Sequence, residues 1–184
     1  MLGNGRTLLL HPLAGDDVYC GAGPVDQREA AGSGSELARL RAAFAGFGEP
    51  ARAVLEAVDE QTTLIPTQYW HASAATWSSG RCVLIGDAAH ACAPTLAQGA
   101  ALAFEDAAVL CESLAAGGEM SSSLRRFEER RSARVERVLR ESRARMEASR
   151  GIDPARIPLR NQVLRTVGSD QLAAAWGPLM EQRP

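Results

Sequence analysis

Apolar and polar positions along the chain change period several times, and each change marks an element. Residues 6–12 (Arg-Thr-Leu-Leu-Leu-His-Pro) and 17–22 (Asp-Val-Tyr-Cys-Gly-Ala) are short runs on either side of Ala14-Gly15-Asp16. Two strands around a turn are predicted there. Ala30-Ala31-Gly32-Ser33-Gly34-Ser35 carries no period and reads as a flexible connection. Ser35 then caps a predicted helix through Ala45, with Leu37, Leu40, Ala43 and Phe44 on one face. Phe47-Gly48-Glu49-Pro50 closes it, and a second helix is predicted from Pro50 to Val58. Residues 62–69 are rich in β-formers but contain Pro66, which cannot donate to a ladder, so the expectation is an edge strand.

Farther on, Arg81-Cys82-Val83-Leu84-Ile85 is a short continuous apolar run, the pattern of a buried parallel strand, and it ends in Gly86-Asp87. A loop through Pro94 leads to a helix from about Gln98 to Ala116, apolar nearly all round apart from Glu105, Asp106 and Glu112. Such a helix is expected to be buried on most sides, and Gly117-Gly118 supplies its stop. Ser123 opens a long charged helix to about Arg150, with Leu124, Phe127, Val135, Val138, Leu139 and Met146 as its inner stripe. The tail, 151–184, carries Pro154, Pro158 and Pro178 and is expected to hold only short helices. No internal repeat is visible.

Composition narrows the function classes. The 184 residues suffice for one domain with a core, or for parts of two. A net charge of −2 gives no global field toward nucleic acid or an anionic membrane. The ten arginines of residues 124–150 invite a nucleic-acid reading, but five glutamates are interspersed among them at near i,i+4 spacing. Glu136 with Arg140 and Glu141 with Arg145 are the expected pairs, and no base-stacking aromatics are interleaved, so a solvated, salt-laced helix is expected. The longest uncharged stretch is broken by Gly86-Asp87 and Pro94, so no membrane span is expected. The four cysteines form no CxxC pair and no signal peptide is read at the amino terminus, which points to free buried thiols in a cytoplasmic protein.

The stretch from Arg81 to Leu114 carries the chemistry. An acidic residue directly after a buried strand stands at the carboxyl edge of a sheet, where open α/β folds place their ligands. There Asp87 can accept hydrogen bonds from sugar or polyol hydroxyls. Gln98-Gly99-Ala100-Ala101 opens a helix with no bulky side chain, leaving first-turn N–H groups and the positive end of the dipole open to an anionic or carbonyl-bearing ligand. A carboxylate for hydroxyls beside an amide cluster for negative charge describes a nucleotide-like cofactor site. Taken alone, Gly86-Asp87 would be only a strand-to-loop turn with a capping aspartate. Glu105 and Asp106 read as structural, satisfying first-turn N–H groups and complementing the dipole rather than serving as acid and base. His90 and Cys92 lack the further ligands a metal needs, so no metal is expected. His11 and His71 have no partners in sequence; ordinary structural roles outweigh a place in a substrate pocket. Tyr69, Trp70 and Trp77 read as core or pocket wall.

Gly86-Asp87-Ala88-Ala89-His90, then Pro94, Gln98-Gly99, Glu105-Asp106-Ala107 and Leu110 together resemble the second flavin-binding motif of the single-component (class A) flavoprotein monooxygenases, the para-hydroxybenzoate hydroxylase and salicylate hydroxylase type. Trp77-Ser78-Ser79-Gly80-Arg81 looks like the lead-in to that motif, Phe127-Glu128-Glu129-Arg130-Arg131 like the start of the family's long helix, and residues 6–25 like late strands of its substrate-binding sheet. The resemblance implies an α/β fold: part of a Rossmann-like FAD/NAD(P)-binding domain, part of the substrate-domain β-sheet and a C-terminal long helix. It divides the chain into the remainder of a substrate-binding sheet domain at 1–75, an FAD-binding strand-loop-helix segment at 76–118 and a helical region at 119–184.

FAD is the implied cofactor, with Gly86, Asp87, Pro94, Gln98, Gly99, Ala100 and Ala101 as its binding residues. Asp87 would hold the ribityl chain, and the backbone at 99–101 would face the pyrimidine edge of the isoalloxazine, where reduced flavin is negative. Ala97 stands where many members have glycine, and Ala101 where many have asparagine, so any contact at 101 falls to the main chain. In the complete enzyme the resemblance implies that NAD(P)H reduces FAD, O2 adds at C4a and the flavin hydroperoxide hydroxylates an aromatic or polyketide-like small molecule. No residue here is identified as a general base.

The family's GxGxxG unit is not found in this sequence. Gly46-Phe47-Gly48-Glu49-Pro50-Ala51 fits the looser GxGxxA form, but it follows a helical segment rather than a strand and Pro50 interrupts it. No Asp-Gly dipeptide occurs either. The nucleotide-binding half is therefore expected on a preceding stretch of polypeptide or on a separate chain, and this chain alone is expected to retain FAD weakly or not at all. The alternative reading is a non-catalytic remnant acting as a binding or association module.

Overall fold

The computed structural model describes residues 1–3, 5–23, 34–149 and 153–180. The connection read at 30–35 lies outside them as far as Ser33, as do Arg150 and parts of the 151–184 tail. The chain forms two compact units, Met1–Thr67 with Ala148–Asn161, and Gln68–Glu147 with Gln162–Pro184.

In the first unit, β1 (Thr7–Pro12) and β2 (Val18–Gly23) pair antiparallel, from Thr7 opposite Gly23 to Pro12 opposite Val18. Gly15, at φ 73°, supplies the left-handed residue of the connection. Helix α1 (Glu36–Phe44) begins where Ser35 accepts a hydrogen bond from the Ala38 N–H at 3.2 Å, the cap expected from sequence. Helix α2 (Ala51–Ala57) follows. Leu8, Phe44, Ala51 and Leu55 form the core, with Leu10, Leu40, Ala43 and Phe47 packed against it. Arginines satisfy carbonyls at the helix ends: Arg6 donates to Ala43 O at 2.6 Å, and Arg41 to Leu55 O and Val58 O.

The edge strand expected at 62–69 does not form; no ladder partner is presented there and Pro66 withholds a donor. Ile65, Tyr69 and Trp70 are exposed, so neither Tyr69 nor Trp70 is core.

The second unit departs further from expectation at its strand. Residues 81–85 do not form a buried parallel strand: β3 (Ser78–Ser79) and β4 (Cys82–Val83) make a short antiparallel hairpin, turned at Gly80 with φ 61°. A parallel strand needs neighbours on its edges, and β3 is the one strand paired with β4 among the described residues. Leu84 and Ile85 are accordingly exposed. After the short helix α3 (Asp87–His90) and a 3-10 turn (Pro94–Leu96) come α4 (Gly99–Ala115) and the long α5 (Met120–Ser149). Their core gathers Trp77, Ala89, Leu96, Leu102, Val109, Phe127, Val135 and Val138.

Helix α4 is not buried on most sides. It buries one stripe, Leu102, Asp106, Val109 and Ser113, and Phe104 is 78% exposed. Alanines account for the difference: they raise the apolar count of a helix but carry little side-chain area to hide. Cys111, outside that stripe, and Cys82, on the short hairpin, are exposed rather than buried as expected. Gly117 (φ 73°) and Gly118 (φ 100°) stop α4 as expected. In the tail, α6 (Ile157–Thr166) and α7 (Ser169–Met180) are short helices. The whole is a partial α/β fold in which helices outweigh two small sheets. Among the described residues no helix is long and apolar enough to cross a membrane.

Candidate functional site

The site is built on two turns of the second unit. The first is Gly86, whose φ of 56° and ψ of −141° suit glycine alone. A Cβ at this position would lie 3.2 Å from the Ala103 Cβ, so the close approach to α4 demands glycine a second time. The Gly86 carbonyl accepts from the N–H groups of Ala89 and His90, both at 2.9 Å, and its own N–H donates to Asp106 Oδ2 at 2.8 Å. The backbone so fixed presents Asp87 to solvent, with no hydrogen-bond partner for its carboxylate among the described residues.

The second turn starts helix α4. Pro94 opens the 3-10 turn, Ala97 takes the left-handed conformation (φ 52°, ψ 29°), and Gln98 is the N-cap without a side-chain capping bond. Leu102 N is the first to donate back into the helix, to Gln98 O at 2.9 Å. The amides of Gly99, Ala100 and Ala101 thus carry the helix's unmatched donors, with no side-chain capping bond from Gln98.

Cys92 links the two turns. A Cβ on Gly99 would sit 4.0 Å from the Cys92 Sγ. Burial raises the thiol's pKa, and the negative charge of Asp87 raises it further. Half-buried Cys92 thus lies near Gly99 of the second turn and within electrostatic reach of Asp87 of the first.

Beneath both turns lies a buried charged network. Arg131 of α5 is fully buried and donates through Nε to Asp106 Oδ1 at 2.8 Å, through Nη1 to Glu105 Oε2 at 2.7 Å and through Nη2 to Leu102 O at 3.3 Å. Arg134 grips Glu105 with two bonds of 2.6 and 2.7 Å and reaches Gln98 Oε1 at 3.5 Å. The second oxygen of Asp106 takes the Gly86 N–H and pairs with His90 Nε2 at 2.6 Å. Burial pushes both carboxyls up, but it is more than offset: at Asp106 by the hydrogen bonds from His90, the Gly86 N–H and Arg131, and at Glu105 by the hydrogen bonds and charges of Arg134 and Arg131, so both lie below their ordinary values.

Glu105 and Asp106 are thus structural, though not in the way the sequence suggested: they serve α5 and the Gly86 turn, not the first-turn N–H groups of α4. Nor is α5 a solvated helix throughout. Its i,i+4 pairs include Arg137–Glu141 and Arg143–Glu147, while Arg145 lies over the Trp176 ring at 4.7 Å.

Arg131, Arg134 and His90 were not picked out by sequence as partners. A signal was present: Arg131 lies four residues after Phe127 and four before Val135, inside the apolar stripe, while Asp106 interrupts the stripe of α4 between Leu102 and Val109. Opposite charges inside the inner stripes of consecutive helices predict a buried pair. Trp77 belongs to the core, 5.3 Å from the His90 ring and 5.9 Å from Phe127. His71 has a buried Nε2 without a hydrogen-bond partner among the described residues.

Residues 51–142 match the FAD binding domain family, to which the chain belongs, and the fold is that of the FAD-binding portion of a flavoprotein of the monooxygenase type. Among solved structures, Klebsiella pneumoniae HpxO complexed with FAD and uric acid is 27% identical, with a TM-score of 0.77, matching 97% of this chain and 46% of that one. A 2-methyl-3-hydroxypyridine-5-carboxylic acid oxygenase in tetrameric form is 27% identical with a TM-score of 0.56, over 74% of this chain and 36% of that one. The tetracycline destructase Tet(51), at 18% identity and a TM-score of 0.58 over 99% of this chain and 49% of its own, shares the fold. The chain spans about half or less of the length of these relatives. No match is found among curated protein sequences.

Proposed function

We propose that this chain supplies the FAD-binding part of an NAD(P)H- and O2-dependent monooxygenase of the cytoplasm that hydroxylates a small aromatic or polyketide-like molecule. The observation that carries the reading is the pair of turns at Gly86–Asp87 and Gln98–Gly99, each reached by the α5 arginines through Asp106 or directly, with Cys92 between them in sequence. The donor set fits the cofactor: ribityl hydroxyls need an acceptor, which the unpartnered Asp87 carboxylate offers, and an electron-rich ring edge needs donors, which the amides of Gly99, Ala100 and Ala101 offer. Gly86 and Gln98 would set the backbone at each side, with Pro94 shaping the loop between them. FAD would supply electron transfer from NAD(P)H to O2 and transfer of one oxygen atom; the protein's part is orientation and exclusion of water. Uric acid bound by HpxO and the pyridine acid of the oxygenase support a planar, electron-rich substrate. The four free thiols support a reducing compartment.

A polypeptide carrying a strand-GxGxxG-helix unit, joined to this chain or separate from it, would complete the cofactor site. The exposure of Leu84, Ile85 and Phe104 supports such a partner.

Fluorescence titration of the purified chain with FAD tests the reading, together with alkylation of Cys92 followed by peptide mass. FAD is expected to bind weakly and to slow labelling of half-buried Cys92 but not of exposed Cys82 and Cys111. Asp87→Asn is expected to weaken binding by about ten-fold, as for loss of hydrogen bonds to a charged acceptor. Quenching that leaves Cys92 equally reactive, or an Asp87→Asn chain that binds as well as the parent, would sink the assignment.

A further inference from the structure

Arg131, Arg134, Glu105 and Asp106 place two cationic and two anionic side chains inside a helix-helix contact, and Arg131 and Asp106 are wholly buried. Apolar residues of similar volume would fill that space at no loss of stability, because buried ion pairs seldom repay their desolvation. What apolar residues could not do is reach the backbone. The network ends at two points: Asp106 Oδ2 holds the N–H of Gly86, one residue before Asp87, and Arg134 reaches the side chain of Gln98, one residue before the first turn of α4.

We infer that Arg131 and Arg134 are positioning residues of the cofactor site, acting through Asp106 and Glu105 to fix the Gly86–Asp87 turn and the start of α4 in one geometry. Arg131 bonds one oxygen of the Asp106 carboxylate while the second takes the Gly86 N–H, and His90, its ring tilted against Trp77, pairs with that same oxygen. Arg134 anchors Glu105 in two bonds and Gln98 in a third, so both ends of the loop over Cys92 are tied to a single helix, α5. What the turns are positioned for rests on the FAD reading above; the mechanical coupling does not.

The test uses the full chain with two variants, Arg131→Met combined with Asp106→Leu, and Arg134→Met. The first replaces the buried pair by apolar groups and is expected to fold, with the near-UV signal of Trp77 retained. Amide exchange at residues 86–90 should then rise by about ten-fold, the local opening that follows loss of one hydrogen bond to a charged acceptor, and FAD affinity should fall by a similar factor. In Arg134→Met the same rise is expected at Leu102, whose N–H bonds to Gln98 O. Unchanged exchange at both places in folded variants would overturn the inference, since a merely space-filling network would leave them still. Global unfolding of either variant, seen as loss of the Trp77 signal, would overturn it too, because the network would then be a requirement for folding. If the parent chain takes up no FAD, the cofactor reading fails, while the exchange data still decide the coupling.

Discussion

Ala97 holds a left-handed backbone (φ 52°, ψ 29°) between the Pro94 turn and the N-cap of α4. For an alanine this conformation costs roughly 1–2 kcal/mol, because Cβ crowds the following carbonyl. Part of that is recovered in the unfolded chain, where glycine is freer. Ala97→Gly is therefore expected to raise stability by roughly 0.5–1 kcal/mol, read as a higher urea midpoint at unchanged slope. A lower midpoint would show that the turn is not strained. At Gly86 the same reasoning runs the other way. Its φ and ψ exclude an L side chain and Ala103 occupies the space, so Gly86→Ala should lose about 2–3 kcal/mol. Glycine at 86 is a requirement; alanine at 97 is a tolerated departure.

Helices α4 and α5 meet through a stripe that is apolar at its ends and ionic at its centre. Asp106 and Glu105 have folded pKa values below their ordinary ones, so their protons bind less readily in the native state. Their contribution to stability is complete above the unfolded carboxylate range, about pH 4, and is lost as pH falls through the folded values below it. Thermal unfolding followed at Trp77 should thus hold level near neutrality and decline steeply below about pH 4. Asp106→Asn should be less stable at neutral pH and show a shallower acid decline; an equal slope in parent and variant would contradict the assignment. Arg131→Met alone, which leaves Asp106 buried without its cation, should cost about 3–5 kcal/mol. Much of this was within reach of the sequence as two interrupted stripes. The pairing itself was not, because periodicity shows which face of a helix turns inward but not which residue of a second helix it meets.

The described residues form two core clusters that share no residue, Leu8, Phe44, Ala51 and Leu55 in one unit and the Trp77–Val138 cluster in the other. Phe44→Ala should lose about 3–5 kcal/mol from the first, appearing as faster amide exchange over 36–57 ahead of any change over 102–139; simultaneous loss in both would refute separate cores. The β1–β2 hairpin, the Ser35 cap and the Gly117-Gly118 stop were legible in the sequence because each depends on contacts a few residues apart. The span 62–69 and the run 81–85 were not, since a strand exists only when another edge accepts its hydrogen bonds, and composition is silent on that. The sequence by itself carried the resemblance to a flavin-binding motif, the residues that match it and the helices around it. Tertiary structure decided that Cys92 lies near Gly99, that α4 buries one stripe, and that Arg131 and Arg134 turn inward to bond Asp106, Glu105 and Gln98. The physical reason is the same in each case: local order follows from backbone sterics and nearby caps, whereas burial and charge pairing depend on which distant surface arrives opposite.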